Sequence, residues 1–367
     1  MKLLCVYNIA SHYRAPIFRL LDQEFDCDFV AGDRVSDIKK MDYSALKHGV
    51  KEVHNVQFRH SYWQKGVLGL IRAKYDSYLI LGETRCLSTW VLLFLSIFYP
   101  KKHVYLWSHG WYGKENRVKR LLGKLFYSFC DGAFIYNNRS RILMANGGID
   151  GNKLYTIYNS LDYDVQLSLR QSLSKSSLYY DHFRNNYKVI VFIGRLTKVK
   201  RLEMILYAVN HLRECGEYYN VVFVGDGEER DTLEALSNNL GLNKMVWFYG
   251  ASYNESINAQ FIYNADLCVS PGNIGLTAMH VMMFGCPAIT NDDFNHQMPE
   301  FEAILEGRTG SFFHAGDFYS LSEAISHWFA MHGTDRDLVR QACFDEIDSR
   351  WNPHNQISIF KRVLLNE

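Results

Sequence analysis

The sequence lacks a long hydrophobic run, a surplus of one charge and any paired cysteine spacing, and each lack removes a class of protein. The longest apolar stretch, Trp90 to Tyr99, is roughly half of what a helix needs to cross a bilayer. Forty basic residues stand against 39 acidic ones, a net charge of +1, so no overall field argues for nucleic acid. The cysteines, at positions 5, 27, 86, 130, 215, 268, 286 and 343, show no metal-ligand spacing. Several sit inside apolar runs, and together they read as reduced core residues of a cytoplasmic protein. Met1-Lys2 leads straight into an apolar run without signal-peptide features. No Asp-x-Asp metal motif stands out, because Asp292-Asp293 lacks the flanking pattern, and there is no short internal repeat. What is present is an ordinary globular composition, 48% hydrophobic and 22% charged over 367 residues, enough for about two domains. Aromatics are plentiful, with 24 Tyr and 23 Phe.

Short apolar runs alternate with helix-like stretches. Leu3–Tyr7, Cys27–Ala31, Tyr78–Leu81, Val104–Trp107 and Gly132–Tyr136 read as strands. Pro16–Glu24, Gly66–Lys74, Leu87–Tyr99, Val118–Cys130 and Ser140–Asn146 read as the helices between them. This alternation predicts a parallel sheet covered on both faces, with ligands at the carboxyl ends of its strands. Residues 163–187 are polar, rich in Ser and Tyr, and carry no strand signal. The alternation then restarts with Val189–Ile193, Leu202–Glu214, Val221–Val224, Arg230–Leu240, Val246–Tyr249, Ile257–Asn264 and Leu267–Val269. The expectation is an α/β protein of two Rossmann-like domains facing a central cleft. An acceptor-side domain spans 1–165, a linker 166–187 and a second domain 188–345, and a C-terminal helix within 346–367 packs back toward the first domain.

The second half carries the site signals. A strand ending at Val269 is followed by turn residues Pro271, Gly272 and Gly275 and a helical run, Leu276–Phe284. The free N–H groups at such a strand–turn–helix junction suit an anion. Phe-Ile-Gly-Arg-Leu-Thr-Lys-Val-Lys, residues 192–200, places Arg195 and Lys200 in one loop after another strand, and together they can neutralise a diphosphate. A solvated basic loop is the plainer reading of the same residues. Val-Gly-Asp-Gly at 224–227 and Phe-Tyr-Gly at 248–250 are two more strand ends of this kind.

In order and spacing, Gly-Arg-Leu-x-x-x-Lys (194–200), Val-Gly-Asp-Gly (224–227), Phe-Tyr-Gly (248–250) and the Ser-Pro…Gly-Leu…Gly-x-Pro stretch (270–287) resemble the retaining glycosyltransferases of family 4. Gly-Arg-Thr-Gly (307–310), Trp-Ser-His-Gly (107–110) and Tyr-Asn-Ser-Leu-Asp (158–162) extend the resemblance to most of the chain. It implies a GT-B fold and a nucleoside-diphosphate sugar, of UDP or GDP type, as donor, with no separate cofactor and no metal. By position, Arg195 and Lys200 would bind the diphosphate after Gly194, and Gly275, Leu276 and Thr277 would offer it their N–H groups. Tyr249 and Gly250 would lie near the nucleobase, and His109 would reach the donor sugar. The family's two acidic positions here hold Gly272 and His280. Asn273 would then serve the sugar hydroxyls and His280 a ribose hydroxyl, with Glu300 or Glu302 close by.

On the acceptor side, His12, Tyr13 and Arg14 follow the first strand and Glu83 follows another. Arg14 would either assist an anionic group or pair with Glu83. The implied activity is transfer of a hexosyl or N-acetylhexosaminyl unit, with retention, to a glycan or polyprenyl-diphosphate-linked acceptor in surface or capsular polysaccharide assembly. Residues 114–130 and 90–103 are basic and amphipathic, which suits contact with the inner membrane face or an ordinary surface helix alike. A non-catalytic nucleotide-sugar binder and a nonhydrolysing epimerase are the rival readings.

Overall fold

The apolar runs of the first half become one parallel sheet. In the computed structural model, which describes residues 1–34 and 38–365, the chain forms two units, Met1–Asp162 with Asn352 onward, and Tyr163–Trp351. The first contains β1 (Lys2–Tyr7), α1 (Ala15–Glu24), β2 (Asp26–Gly32), β3 (Val50–Val53), β4 (Asn55–Gln57), β5 (Tyr62–Gln64), β6 (Ser77–Leu81), α2 (Leu87–Ser96), β7 (His103–Ser108), α3 (Arg117–Ser128), β8 (Gly132–Ile135), α4 (Asn138–Asn146) and β9 (Leu154–Thr156). Seven strands run in the order β3-β2-β1-β6-β7-β8-β9, each pair parallel, while β4 and β5 form a separate antiparallel pair. Successive side chains of β1 point to opposite faces, so Leu3, Cys5 and Tyr7 enter one core and Leu4 and Val6 the other. Side-chain amides fasten the end of β1, Gln64 donating to the Tyr7 carbonyl and Asn55 to that of Asn8. Helix starts follow their sequence caps, with Asn116 accepting from the Lys119 N–H and Asn137 from the Ser140 N–H.

The second unit contains α5 (Tyr163–Ser172), α6 (Leu178–Phe183), β10 (Lys188–Ile193), α7 (Glu203–Glu214), β11 (Tyr219–Val224), α8 (Arg230–Asn239), β12 (Val246–Gly250), α9 (Glu255–Asn264), β13 (Leu267–Ser270), α10 (Thr277–Met283), β14 (Ala288–Asn291), β15 (Gly310–Phe313), α11 (Phe318–His332) and α12 (Arg336–Ser349). Its six parallel strands run β12-β11-β10-β13-β14-β15. The winding reverses between β10 and β13, the place where such sheets bind ligands. The last helix, α13 (Pro353–Leu364), belongs to the first unit. There Phe360 packs its ring 4.5 Å from Phe134 and 5.0 Å from Trp107.

Three expectations change. The polar stretch read as linker carries α5 and α6 inside the second unit, where Arg170 pairs with Asp348 and Tyr179 donates to the Phe261 carbonyl. Few apolar anchors suffice there because an ion pair and a buried tyrosine hold the helices. Gly66–Lys74 forms only a 3-10 stretch, Leu68–Arg72, since the run has too short an apolar stripe for a longer helix. Cys215 is exposed, and the other cysteines are buried and free.

Candidate functional site

Two loops meet at the reversal of the second sheet. Gly194–Lys200 leaves β10 and Pro271–Leu276 leaves its neighbour β13. The Lys200 ammonium donates to the Asn273 carbonyl, Gly272 N–H donates to the Lys200 carbonyl at 2.9 Å, and Thr277 Oγ1 lies 3.5 Å from the Ile193 carbonyl. Gly272 is required by this approach, since a Cβ there would lie 2.1 Å from the Val199 carbonyl oxygen. Gly275 adopts φ +53°, which turns the chain so that α10 can begin. The N–H groups of Gly275, Leu276 and Thr277 donate to no group among the described residues. Arg195 is exposed, with no hydrogen bond or ion pair from its guanidinium among the described residues. Burial holds the Lys200 ammonium below its ordinary range; the Arg195 charge pushes the same way and Glu300 opposes it. Two neighbouring cations and three unused N–H groups thus share one corner, as an anion requires.

A polar scaffold behind the turn escaped the sequence reading. Gln297, 2% exposed, accepts from the Ile274 N–H and donates to the Gly272 carbonyl. Thr290 and Asn291, at the end of β14, donate to the carbonyls of Ser270, Pro271 and Gly272. Their signal was present, since polar residues ending a buried strand need partners, but the short Ala-Ile-Thr-Asn run was not read as a strand. Glu300 is buried and Glu302 half-buried, both in the 3-10 segment Pro299–Ala303.

His280 is placed differently from a lone ribose ligand. Its Nε2 lies 2.9 Å from Glu255 Oε1, and Gln166 donates to the same oxygen at 2.7 Å. Burial opposes ionisation of Glu255, but the bonds from His280 and Gln166 prevail and hold its carboxyl below the usual range. The Tyr249 ring, 38% exposed, packs 4.5 Å from Phe261, and Gly250 follows it with φ +101°.

In the first unit, His109 and Glu83 line a pocket of about 880 Å³ together with Trp90, Trp111, Tyr112 and Leu122. Burial first, and the Arg14 charge second, push His109 down to about 4, so its imidazole is neutral at physiological pH. Arg14 does not pair with Glu83, which accepts from Tyr62 Oη at 3.0 Å and from Arg85 at 3.2 Å. Instead the Arg14 guanidinium, 7% exposed, lies 4.9 Å from the Tyr7 ring, 5.1 Å from Trp107, 5.4 Å from Tyr136 and 5.7 Å from Tyr13. Aromatic faces replace a carboxylate as its counter-charge. His12 is exposed on the same segment, its Nδ1 3.3 Å from the Lys39 carbonyl. His12, Tyr13 and Arg14 are therefore grouped with one another, outside the pocket lining.

Among the described residues no helix is long and apolar enough to cross a membrane. Part of the apolar surface of α3 is exposed, with Val118 at 65% and Leu121 at 69%, while Phe126 is buried.

Residues 181–343 match the family described as Glycosyl transferases group 1. An uncharacterized glycosyltransferase of Methanocaldococcus jannaschii is 28% identical over 146 residues, 38% of this chain and 36% of that protein. An α-1,4-N-acetyl-D-galactosaminyltransferase of Campylobacter jejuni, named for an undecaprenol-diphosphate-linked substrate, is 26% identical over 154 residues, 42% of this chain and 38% of that one. The matched stretches thus span well under half of those relatives. Across the whole chain the fold is that of GT-B glycosyltransferases. HepE of Anabaena, solved with UDP, aligns over 100% of both chains with a TM-score of 0.72 at 16% identity. The lipopolysaccharide galactosyltransferase WaaB aligns over 100% of this chain and 99% of its own with 0.73 at 14%.

Proposed function

We propose that this chain is a glycosyltransferase that moves a sugar from a nucleoside diphosphate to a glycan or lipid-linked acceptor in bacterial surface polysaccharide synthesis. The observation that carries the reading is the meeting of Lys200, Arg195 and the unused N–H groups of 275–277 at the reversal of the second sheet. The donor bond breaks when the diphosphate can leave with its charge stabilised. Two cations, Lys200 held on the Asn273 carbonyl and Arg195 beside it, together with oriented amides supply that stabilisation, so the chain's own groups suffice and the reaction is metal-independent. The UDP bound by HepE and the undecaprenol-diphosphate-linked substrate in the Campylobacter enzyme's name support a uridine nucleotide donor and a lipid-linked acceptor.

Asn273 would serve the hydroxyls of the donor sugar, and the motif resemblance assigns His109 to a sugar hydroxyl. A neutral imidazole both donates and accepts, so it can hold a sugar hydroxyl without adding charge beside the electron-poor sugar carbon. The acceptor oxygen would attack on the face that the diphosphate leaves, giving retention as in the family-4 enzymes that the motifs resemble. Contact with the inner membrane face through α2 and α3 is supported by their exposed apolar residues and flanking lysines.

The non-catalytic reading has one observation in its favour: the two family acidic positions hold Gly272 and His280, and His280 is engaged by Glu255. A turnover assay with UDP- and GDP-sugars against lipid-linked and soluble acceptors separates the two. Sugar transfer that Lys200→Met abolishes is the expected result. Nucleotide binding with neither transfer nor donor hydrolysis across the panel would overturn the enzyme reading.

A further inference from the structure

The lining of the first unit's pocket is of two kinds. Ser108 and His109, where β7 finishes, are polar. Leu87 and Trp90 of α2 and Leu122 of α3 add an apolar wall, with Leu87 40% and Leu122 48% exposed. The same two helices and the turn after α2 also expose apolar residues, with Phe94 52%, Phe98 66% and Leu121 69% exposed. A polar sugar alone does not call for such a wall.

The charges of the pocket have one unsatisfied sign. Glu115 spends its carboxylate on the Tyr112 and Gly113 N–H groups, at 2.8 and 2.9 Å. Glu83 is taken by Tyr62 and Arg85. Lys114 lies 5.1 Å from the Tyr112 ring, and Lys119 has no acidic partner among the described residues. Two lysines therefore border an aromatic and aliphatic cavity whose acids are already engaged. The volume, about 880 Å³, is that of a small-molecule site.

We propose that this pocket binds a single-chain lipid phosphate, the chemistry of a polyprenyl carrier, with its phosphate at Lys114 and Lys119. Its first carbons lie against Trp90, Trp111 and Leu122, and its tail leaves between α2 and α3. This assignment rests on the acceptor reading above and goes further by naming the residues that hold the lipid phosphate and the path of its tail. It also gives the exposed apolar helices a purpose, since a tail leaving at Leu87 and Leu122 emerges where Phe98 and Leu121 can meet a bilayer.

The test is a titration of the full chain, followed by tryptophan fluorescence, because Trp90 and Trp111 line the pocket. Farnesyl phosphate is the probe, below its micelle range, with farnesol and inorganic phosphate as separate arms. A saturable change is expected, with farnesyl phosphate binding at least about tenfold more tightly than either fragment. Leu122→Asp and Lys119→Glu should each remove it, while Leu121→Asp, one position away on the outer surface, should keep it and lose only binding to phosphatidylglycerol vesicles. A circular-dichroism spectrum and melting curve for Leu122→Asp that match those of the unaltered chain guard against loss of folding. No saturable change, farnesol binding as tightly as farnesyl phosphate, or an unaffected Leu122→Asp would each overturn the proposal. If farnesyl phosphate binds as predicted but no donor gives transfer, the site stands and the enzyme reading falls. Transfer to soluble glycans without farnesyl phosphate binding sinks the site and leaves the enzyme.

Discussion

Gly272→Ala is the most informative single change in the second unit, because it alters no charge and no hydrogen-bonding side chain. The added Cβ would sit 2.1 Å from the Val199 carbonyl oxygen and 2.8 Å from Lys200 Cα, both backbone atoms that cannot rotate away. Relieving the overlap moves the two loops apart by on the order of 1 Å, and such overpacking costs roughly 1–3 kcal/mol. It also stretches the 2.9 Å bond from Gly272 N–H to the Lys200 carbonyl and draws the Lys200 ammonium from its place on Asn273. If a diphosphate needs Lys200 and the 275–277 amides together, affinity for a nucleoside diphosphate should fall by about 5- to 150-fold, the same energy expressed as binding. Affinity for the bare nucleoside should change far less. Gly69→Ala serves as the control, since a Cβ there meets nothing within 4 Å. Titration calorimetry with both ligands, and a melting curve, decide the matter. A Gly272→Ala protein that binds the diphosphate as the unaltered chain does would refute the idea that this contact sets the spacing of the site.

Other expectations concern the two histidines. Because His109 is held near 4 in the folded chain against 6.5 ordinarily, the unfolded chain binds the extra proton between those values. Stability should therefore fall as pH drops from about 6.5 to about 4, and transfer should show no acid limb from His109 near 6.5. Arg14→Met removes the cation that helps hold it there and should raise the His109 titration in an NMR series, whereas an unmoved titration would contradict the coupling. His280→Glu, which restores the residue family-4 enzymes carry, should here set two carboxylates against each other at Glu255. A loss of roughly 1–3 kcal/mol in denaturant unfolding near pH 7, shrinking below about pH 5 as the pair shares a proton, is the expected outcome. Unchanged stability at pH 7 would mean that Glu255 turns away.

Much of the fold was legible because buried parallel strands advertise themselves as continuous apolar runs. Leu3–Tyr7, Val189–Ile193 and Leu267–Val269 each fall within one residue of the strand observed. Edge strands with one wet face, such as Val50–Val53 and Leu154–Thr156, gave no such run and passed unread. Helices α5 and α6 were missed since their anchors, Arg170 on Asp348 and Tyr179 on the Phe261 carbonyl, are long-range polar contacts. At the site, sequence spacing put Arg195 and Lys200 in one loop after β10, where the structure has them. It could not foresee that Arg14 would find aromatic faces in place of Glu83, or that Glu255 would come to His280 from the far end of a neighbouring crossover. Such pairings depend on which strands become neighbours, and β12 and β13 are adjacent in sequence but three places apart in the sheet.

Donor binding turns on a diphosphate held by Lys200, Arg195 and the 275–277 amides. A thermal-shift screen first selects the best nucleoside diphosphate, and calorimetry then compares it with its nucleoside in the unaltered chain, in Lys200→Met and in Arg195→Ala. Each variant should lose about 1.5–3 kcal/mol of diphosphate binding, the usual worth of a charged hydrogen bond, with nucleoside binding nearly unchanged. Equal losses for both ligands, or no loss for the diphosphate, would contradict it.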